Sequence, residues 1–343
     1  MQKTKLGSTG LKVSRTAFGA LPIQRVSFDE AKDLMMKAFD NGINFFDTAR
    51  MYSDSEEKLG YALSGVRKQI IIATKSHAKD KKGLLAHLET SLKNLKTDYV
   101  DILQLHNPKE LPDPSDPDGL YGGLLEAKER GLIRHIGLTN HRRDLAIAAA
   151  KSGDYDTIQF PLNYLSTEED LKLIDICKEN NVGLIAMKAM SGGLISDSSA
   201  AFAFLRQYEN VVPIWGVQHI WELDEFLQYE KNNIELNDTH YAHIDKDRIE
   251  ISGDFCRACG YCLPCPANID IPNAARISLL LRRAVYQNFM TDEFHQKMEK
   301  INDCINCGHC KARCPYGLDT PNLLKRELAH YEKFYEENKN RND

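Results

Sequence analysis

Residues 69–106 read QIIIATKSHAKDKKGLLAHLETSLKNLKTDYVDILQLH. The two ends, "QIIIATK" (69–75) and "YVDILQLH" (99–106), are short runs of β-forming residues. Between them "GLLAHLETSLKNL" (83–95) places its leucines at helical spacing. The same alternation of strand and helix extends in both directions. Upstream lie "RTAFGAL" (15–21) and "NFFDTA" (44–49). Downstream lie "IRHIGLT" (133–139), "TIQFPLN" (157–163), "GLIAMKA" (183–189) and "VVPIWG" (211–216), each followed by a helical pattern. The first helix, "SFDEAKDLMMKAFDNG" (27–42), opens with Ser27 and Glu30 as a capping box and closes at Gly42. The second is "SEEKLGYAL" (55–63). Eight strand–helix pairs in sequence predict an α/β fold, a closed (β/α)8 TIM barrel. A doubly wound open sheet is the alternative. The count of eight, and the lack of a G-x-G-x-x-G after the first strand, favour the barrel. The opening "TKLGSTGLKVS" (4–14) reads as a hairpin turning at Ser8-Thr9-Gly10, suited to plug one end of that barrel.

The chain has 343 residues, more than one average domain. We expect a barrel over 1–235, a polar linker over 236–255, a cysteine-rich domain over 256–323 and a charged helical tail over 324–343. A net charge of −5, with no basic stripe interleaved with aromatics, argues against nucleic acid as a partner. No apolar run approaches the roughly 20 residues that span a bilayer, and "MQKTKLGSTG" lacks the apolar stretch of a signal peptide. The expectation is a cytoplasmic protein without a membrane span. Hydrophobic residues make up 42%, enough for a core that needs no disulfides. That bears on the nine cysteines, eight of which fall in two tight runs after residue 255. Clustered cysteines in an intracellular chain point to metal. The ninth, Cys177 in "TEEDLKLIDICKENN", reads as a small buried apolar side chain.

Four polar residues stand at or just after the C-terminal ends of successive strands: Asp47 and Tyr52 in "FFDTARMY", Lys75 in "IIATKS" and His106 in "LQLHNP". In a barrel those ends meet at one mouth, the face that hosts catalysis. Their chemistry is coherent. A free phenol, with a pKa near 10, is a sluggish acid at neutral pH. An adjacent Lys75 ammonium would lower it, and Asp47 would hold Lys75 in place. Tyr52 could then protonate a carbonyl oxygen, with His106 hydrogen-bonding the same oxygen. The acidic loop "NPKELPDPSDPDG" (107–119) leaves the same face and is a candidate wall of the pocket, which Arg50, Tyr164 and Trp221 could help to line.

"GINFFDTARMY", "ATKS", "LQLHNP", "GLTNH" and "IQFPLNY" resemble the signature blocks of the aldo-keto reductase superfamily over roughly residues 1–230. All four members of that family's catalytic tetrad are matched, by Asp47, Tyr52, Lys75 and His106. The resemblance implies an NAD(P)H-dependent carbonyl reductase. It also implies cofactor contacts. Thr139, Asn140 and Gln159 match residues that hold the nicotinamide amide. "AMKAMSGGL" (186–194) matches the block that stacks on the ring and runs near the pyrophosphate, which brings in Met187, Lys188 and Gly192. The stacking position is often aromatic; here it is Met187, whose thioether can still pack on a ring. Gln218 and Glu225 are candidates at the adenosine end. There the cations that usually grip a 2′-phosphate are replaced by Gly216 and Glu222, which leans the expectation towards NAD or dual use.

The cysteine runs are "CRACGYCLPCP" (256–266) and "CINCGHCKARCP" (304–315). Bacterial ferredoxins use C-x2-C-x2-C-x3-C-P, in which the fourth cysteine ligates the other cluster. The second run fits fully; the first has one residue fewer before its last cysteine. We therefore expect Cys256, Cys259, Cys262 and Cys314 on one [4Fe–4S] cluster, and Cys304, Cys307, Cys310 and Cys265 on the other. Two zinc sites are the alternative, against which stand the triple spacing and both terminal prolines. The helical "NAARISLLLRRAVYQNF" between the runs resembles helical two-cluster ferredoxin domains. The whole chain is similar to iron–sulfur-bearing aldo-keto reductases.

Nicotinamide exchanges two electrons at once and a cluster exchanges one. No flavin motif is visible to mediate. Three readings follow. The clusters could serve an electron-transfer partner, a ferredoxin or flavoprotein. They could be structural beside a barrel that works alone on a small carbonyl or alcohol. Or the barrel could be a nicotinamide-reading regulatory module that docks a redox partner, a reading weakened by the intact tetrad.

Overall fold

The computed structural model describes residues 1–251, 255–283 and 286–339. It divides into two compact units, one of residues 1–189 and 199–237, the other of residues 190–198 and 238–343.

The first unit begins with an antiparallel pair, β1 (Lys3–Lys5) and β2 (Lys12–Ser14), with Lys3 opposite Ser14. Eight parallel strands follow: β3 (Ala17–Gly19), β4 (Phe45–Asp47), β5 (Ile71–Ser76), β6 (Val100–His106), β7 (Ile133–Thr139), β8 (Thr157–Pro161), β9 (Gly183–Met187) and β10 (Val211–Gly216). They pair in chain order and β10 closes on β3, so the sheet is a barrel and not an open sheet. The hairpin does plug one end. Leu6 and Val13 pack with Phe45, Ile71, Ile102, Ile185 and Val212 in one buried cluster. The approach is close enough that a Cβ on Gly7 (φ 54°) would stand 2.2 Å from the Gly183 nitrogen, which only glycine permits.

The helices on the outside are α1 (Phe28–Asp40), α2 (Ser55–Leu63), α3 (Lys81–Leu95), α4 (Leu120–Glu129), α5 (Arg143–Ser152), α6 (Glu168–Glu179), α7 (Ser198–Arg206) and α8 (Ile220–Asn232). Their local chemistry is as the sequence predicts. Ser27 Oγ accepts the Glu30 N–H (3.2 Å) while Glu30 Oε2 accepts the Ser27 N–H (2.8 Å), satisfying two orphan donors of α1. Ala31, Leu34, Met35 and Ala38 form its buried stripe. Leu84, Leu88, Ser91 and Leu95 do the same for α3. Cys177 is fully buried on α6.

The second unit is helical: α9 (Asp238–Glu250), α10 (Ile271–Ala274), α11 (Ile277–Arg283), α12 (Asp292–Glu299), α13 (His309–Arg313) and α14 (Thr320–Asn338). α10 to α13 pack on α14, whose Leu323, Leu324, Leu328 and Tyr331 are buried. The stretch 236–255, expected as a linker, carries α9. Its polar sequence conceals buried His240, Ile244 and Asp247, and Asp247 pairs with Arg283 on α11. Residues 252–254 of that stretch, 284–285 of the expected cysteine domain and 340–343 of the expected tail lie outside the described residues. Among the described residues no helix is long and apolar enough to cross a membrane.

Candidate active site and cysteine cradles

At the C-terminal ends of β4, β5 and β6 the sequence-predicted polar residues meet. Lys75 Nζ donates to Asp47 Oδ2 at 2.5 Å and to the Thr48 carbonyl at 2.7 Å, with both side chains buried. Burial opposes both charges, pushing the Asp47 carboxyl up and the Lys75 ammonium down, and their pairing pulls each back. Tyr52 lies beside them, with Lys75 Nζ 5.4 Å from its ring centre. The His106 ring stands edge-on to it at 6.1 Å. Burial, then the Lys75 and His77 charges, hold the His106 imidazole down to about 3, so it is neutral. Its Nδ1 is buried without a partner among the described residues.

The sequence reading has the Lys75 ammonium lowering the Tyr52 phenol. The structure reverses that sign: burial, then the Asp47 carboxylate, push the phenol above its ordinary range. The reason is geometric. The phenol is buried and faces the Asp47 carboxylate, while Lys75 is engaged by Asp47 and Thr48.

In the second unit the two cysteine runs share a backbone. Ala258 (φ 47°) and Asn306 (φ 51°) take left-handed conformations just before the second cysteine of each run, and Gly260 (φ 81°) and Gly308 (φ 73°) do so just after it. These successive bends wrap the thiols around a common centre. One cavity is lined by Cys256, Cys259, Cys262 and Cys314, with Ile271 and Leu323. Another is lined by Cys265, Cys304, Cys307 and Cys310, with Ile269 and Leu324. Cys262 reaches the wall of both. Each run thus gives its last cysteine to the other's cavity. Burial, then the Cys256 and Cys259 charges, push the Cys262 thiol up to about 12. Among the described residues, no three His, Cys, Asp or Glu side chains converge as a site for a single metal ion. The segment 190–198 is tied into the same unit: Arg276 Nη1 donates to the Gly192 carbonyl (2.8 Å) and Arg283 Nε to that of Leu194 (2.7 Å).

A family model described as "Aldo/keto reductase family" matches residues 15–202, and one described as "4Fe-4S dicluster domain" matches residues 255–319. The chain belongs to the aldo/keto reductase family. It carries a 4Fe–4S dicluster domain on the C-terminal side of the barrel. Aldo-keto reductase YhdN of Bacillus subtilis is 30% identical over 217 residues, covering 57% of this chain and 64% of that protein. This chain therefore spans just under two thirds of that relative. Methylglyoxal reductase DkgB of Salmonella typhimurium is 35% identical over 188 residues, covering 52% of this chain and 67% of its own. The solved structure of aldo-keto reductase AKR11C1 from Bacillus halodurans aligns with a TM-score of 0.63 at 23% identity, over 72% of this chain and 96% of that one. That likeness is one of fold.

The other residues singled out in this aldo/keto reductase fall as follows. Thr139 and Met187 end β7 and β9, Gln159 lies mid-way along β8 between them, and Thr139 Oγ1 lies 3.7 Å from the Met187 sulfur. Asn140 Nδ2 donates to the Pro108 carbonyl (2.9 Å) and its Oδ1 accepts the Arg142 N–H (2.8 Å), so its amide already braces the loop after β6. The Lys188 carbonyl accepts from Asn163 Nδ2 (2.9 Å). Gly192 belongs to the second unit. Glu225 accepts the Tyr229 hydroxyl (2.8 Å). Glu222, read as an anion facing the adenosine end, instead accepts the backbone N–H groups of Gln218 (2.7 Å) and His219 (2.9 Å) at the start of α8. Its charge is taken up by the helix N-terminus. Arg25 also comes within 3.5 Å of Gln218, so a cation from far upstream reaches the region the sequence left without one. Tyr164 is fully buried, edge-on to Phe204, and Trp221 is exposed. Sequence reasoning missed Gln104, whose Nε2 donates to Asp47 Oδ1 (3.2 Å) and Gln159 Oε1 (2.8 Å). The available signal was its place two residues before His106 on one strand, hence on the same face.

Proposed function

We propose that the barrel is an NAD(P)-dependent oxidoreductase that interconverts a carbonyl and an alcohol, with Tyr52 as acid and base. The observation that carries this reading is the buried Asp47–Lys75 pair beside Tyr52 and the neutral His106 at adjoining strand ends. Bound at this mouth, a nicotinamide would supply the hydride. The chain's own residues do the rest. Tyr52 gives its proton to the carbonyl oxygen and recovers one from solvent. The neutral His106 donates a hydrogen bond to that oxygen, orienting the substrate and sharing the developing charge. Lys75 and Asp47, braced by Gln104, keep the site rigid. A phenol held above its ordinary range stays protonated at neutral pH, which suits reduction, because an alkoxide is a stronger base than a phenolate. Thr139, Asn140, Gln159 and Met187 are the residues that would hold the cofactor, with Lys188, Gln218 and Glu225 at its further reaches. Arg25 beside Gln218 supports NADP as well as NAD.

The two cavities, walled by four and five thiols among aliphatic side chains with Cys262 common to both, fit [4Fe–4S] groups in donor set. Cys256, Cys259, Cys262 and Cys314 would hold one, and Cys304, Cys307, Cys310 and Cys265 the other. Their role in this reading is electron exchange with a partner protein that houses a flavin or a cluster, in a reducing cytoplasm. The test is an anaerobic screen of aldehydes, ketones and alcohols with both nicotinamides, following cofactor absorbance and cluster colour together. Tyr52→Phe should lower carbonyl reduction by about 10²- to 10⁴-fold while leaving cofactor affinity nearly intact. Unchanged turnover would take the phenol out of the mechanism.

A further inference from the structure

The barrel mouth holds a second buried acid that the tetrad does not use. Glu56, on the first turn of α2, has no exposed side-chain surface, while Arg50 beside it keeps 23%. Glu56 Oε2 accepts from Arg50 Nη1 at 2.5 Å, and its Oε1 accepts from Thr74 Oγ1 at 2.7 Å. Burying a carboxylate costs several kcal/mol unless it is paired and hydrogen-bonded. Here that burial fixes one edge of a guanidinium. The Arg50 backbone is held too, its N–H donating to the Lys75 carbonyl (3.0 Å). Its other edge is open: among the described residues, Nε and Nη2 of Arg50 have no partner. Arg50 stands two residues before Tyr52 and close enough to His77 and His87 to depress both imidazoles, alongside burial. Those two rings lie 4.6 Å apart, and His77 in turn bears on His106. In the acidic loop from β6, Asp113 accepts from Ser115 and Asp116 from the Asp118 N–H within the loop itself.

We infer that Arg50, aimed by Glu56, is an anion subsite beside the tetrad, and that the carbonyl substrate carries a carboxylate or phosphate group. A planar guanidinium with one edge fixed and the other free is pre-organised for two parallel bonds to such a group. The inference rests on the reading of the barrel as a carbonyl reductase and adds the class of substrate.

The full chain, prepared anaerobically, is assayed with 4-carboxybenzaldehyde against benzaldehyde and with glyceraldehyde 3-phosphate against glyceraldehyde. Wild type, Arg50→Met and Arg50→Lys are compared. In one pair the wild-type kcat/KM favours the charged member by about 10- to 100-fold, mostly through KM. The pair that does so distinguishes carboxylate from phosphate. Arg50→Met brings that ratio close to one. Arg50→Lys gives an intermediate value, because the charge remains without the fork. Should Arg50→Met fail to fold with Glu56 left unpaired, Arg50→Lys alone decides. Ratios near one in wild type for both pairs, or a ratio that Arg50→Lys does not change, overturn the inference. Failure of the parent reading looks different, since then no carbonyl in either pair is turned over. Calorimetric binding of 4-(hydroxymethyl)benzoate against benzyl alcohol then decides: an Arg50-dependent preference for the carboxylate upholds the subsite, and equal or absent binding rejects it.

Discussion

The barrel mouth and the cysteine cradles are two functional regions built by opposite means. At the mouth the charged groups are held by other groups of the same protein. Lys75 is held by Asp47 and Thr48 and Asp47 by Gln104, on or beside strands fixed by the closed ladder, and Arg50 is held by Glu56 of α2. In the cradles the thiols surround a space with little regular structure of their own. Cys256 to Cys265 lie outside any helix or strand, and in the second run only Cys310 sits in a short helix. A half-buried thiol such as Cys262 resists ionisation, and what reverses that is a metal that accepts the thiolate. The mouth is thus organised before its ligand arrives, and the cradles are completed by theirs.

The largest expected effect tests that contrast directly. Treating the anaerobic protein with an iron chelator should remove all visible absorbance, from about eight irons and eight sulfides per chain. Amide exchange should then accelerate through Cys256–Arg313 while β4, β5 and β6 keep their protection. Equal loss in both regions would break the contrast, and stoichiometric zinc without sulfide would replace the clusters.

Next comes the pH response of the mouth. Burial and Asp47 raise the Tyr52 phenol above its ordinary value, so the protonated form that reduction needs persists across neutral and mildly alkaline pH. The phenolate that oxidation needs grows about tenfold per pH unit below that raised pKa. Reduction should stay flat from about pH 6 to 9 while alcohol oxidation climbs with a slope near one. An oxidation profile that levels off below about pH 9 would mean that Lys75, not burial, governs the phenol.

The smallest effect lies away from both centres. Glu222→Gln weakens the cap on α8 and should cost about 1 kcal/mol of stability, read as a small drop in midpoint on denaturant unfolding. Cofactor preference should barely move. A switch towards NADP would restore Glu222 as the discriminating anion.

Much of this was legible from local pattern. The strand–helix alternation, the Ser27–Glu30 cap and the cysteine spacing are short-range features, and periodicity reports them faithfully. The meeting of Asp47, Tyr52, Lys75 and His106 was legible because barrel topology makes strand ends converge. Electrostatic signs were not. The reading of Lys75 as an activator of Tyr52 took two neighbours in isolation, whereas the phenol responds to burial and to Asp47 as well. Helix α9 was missed because its core contacts are polar: Asp247 is buried by pairing with Arg283, and no apolar stripe announces that.

The order of strands, the four residues at their ends and the two cysteine runs follow from the amino-acid sequence by itself, because each is a property of neighbours along the chain. Tertiary structure alone decided which groups neutralise one another: Lys75 with Asp47, Arg50 with Glu56, Glu222 with the first turn of α8. Charge interactions fall off with distance in space and depend on burial, and neither quantity is written in the linear order of residues.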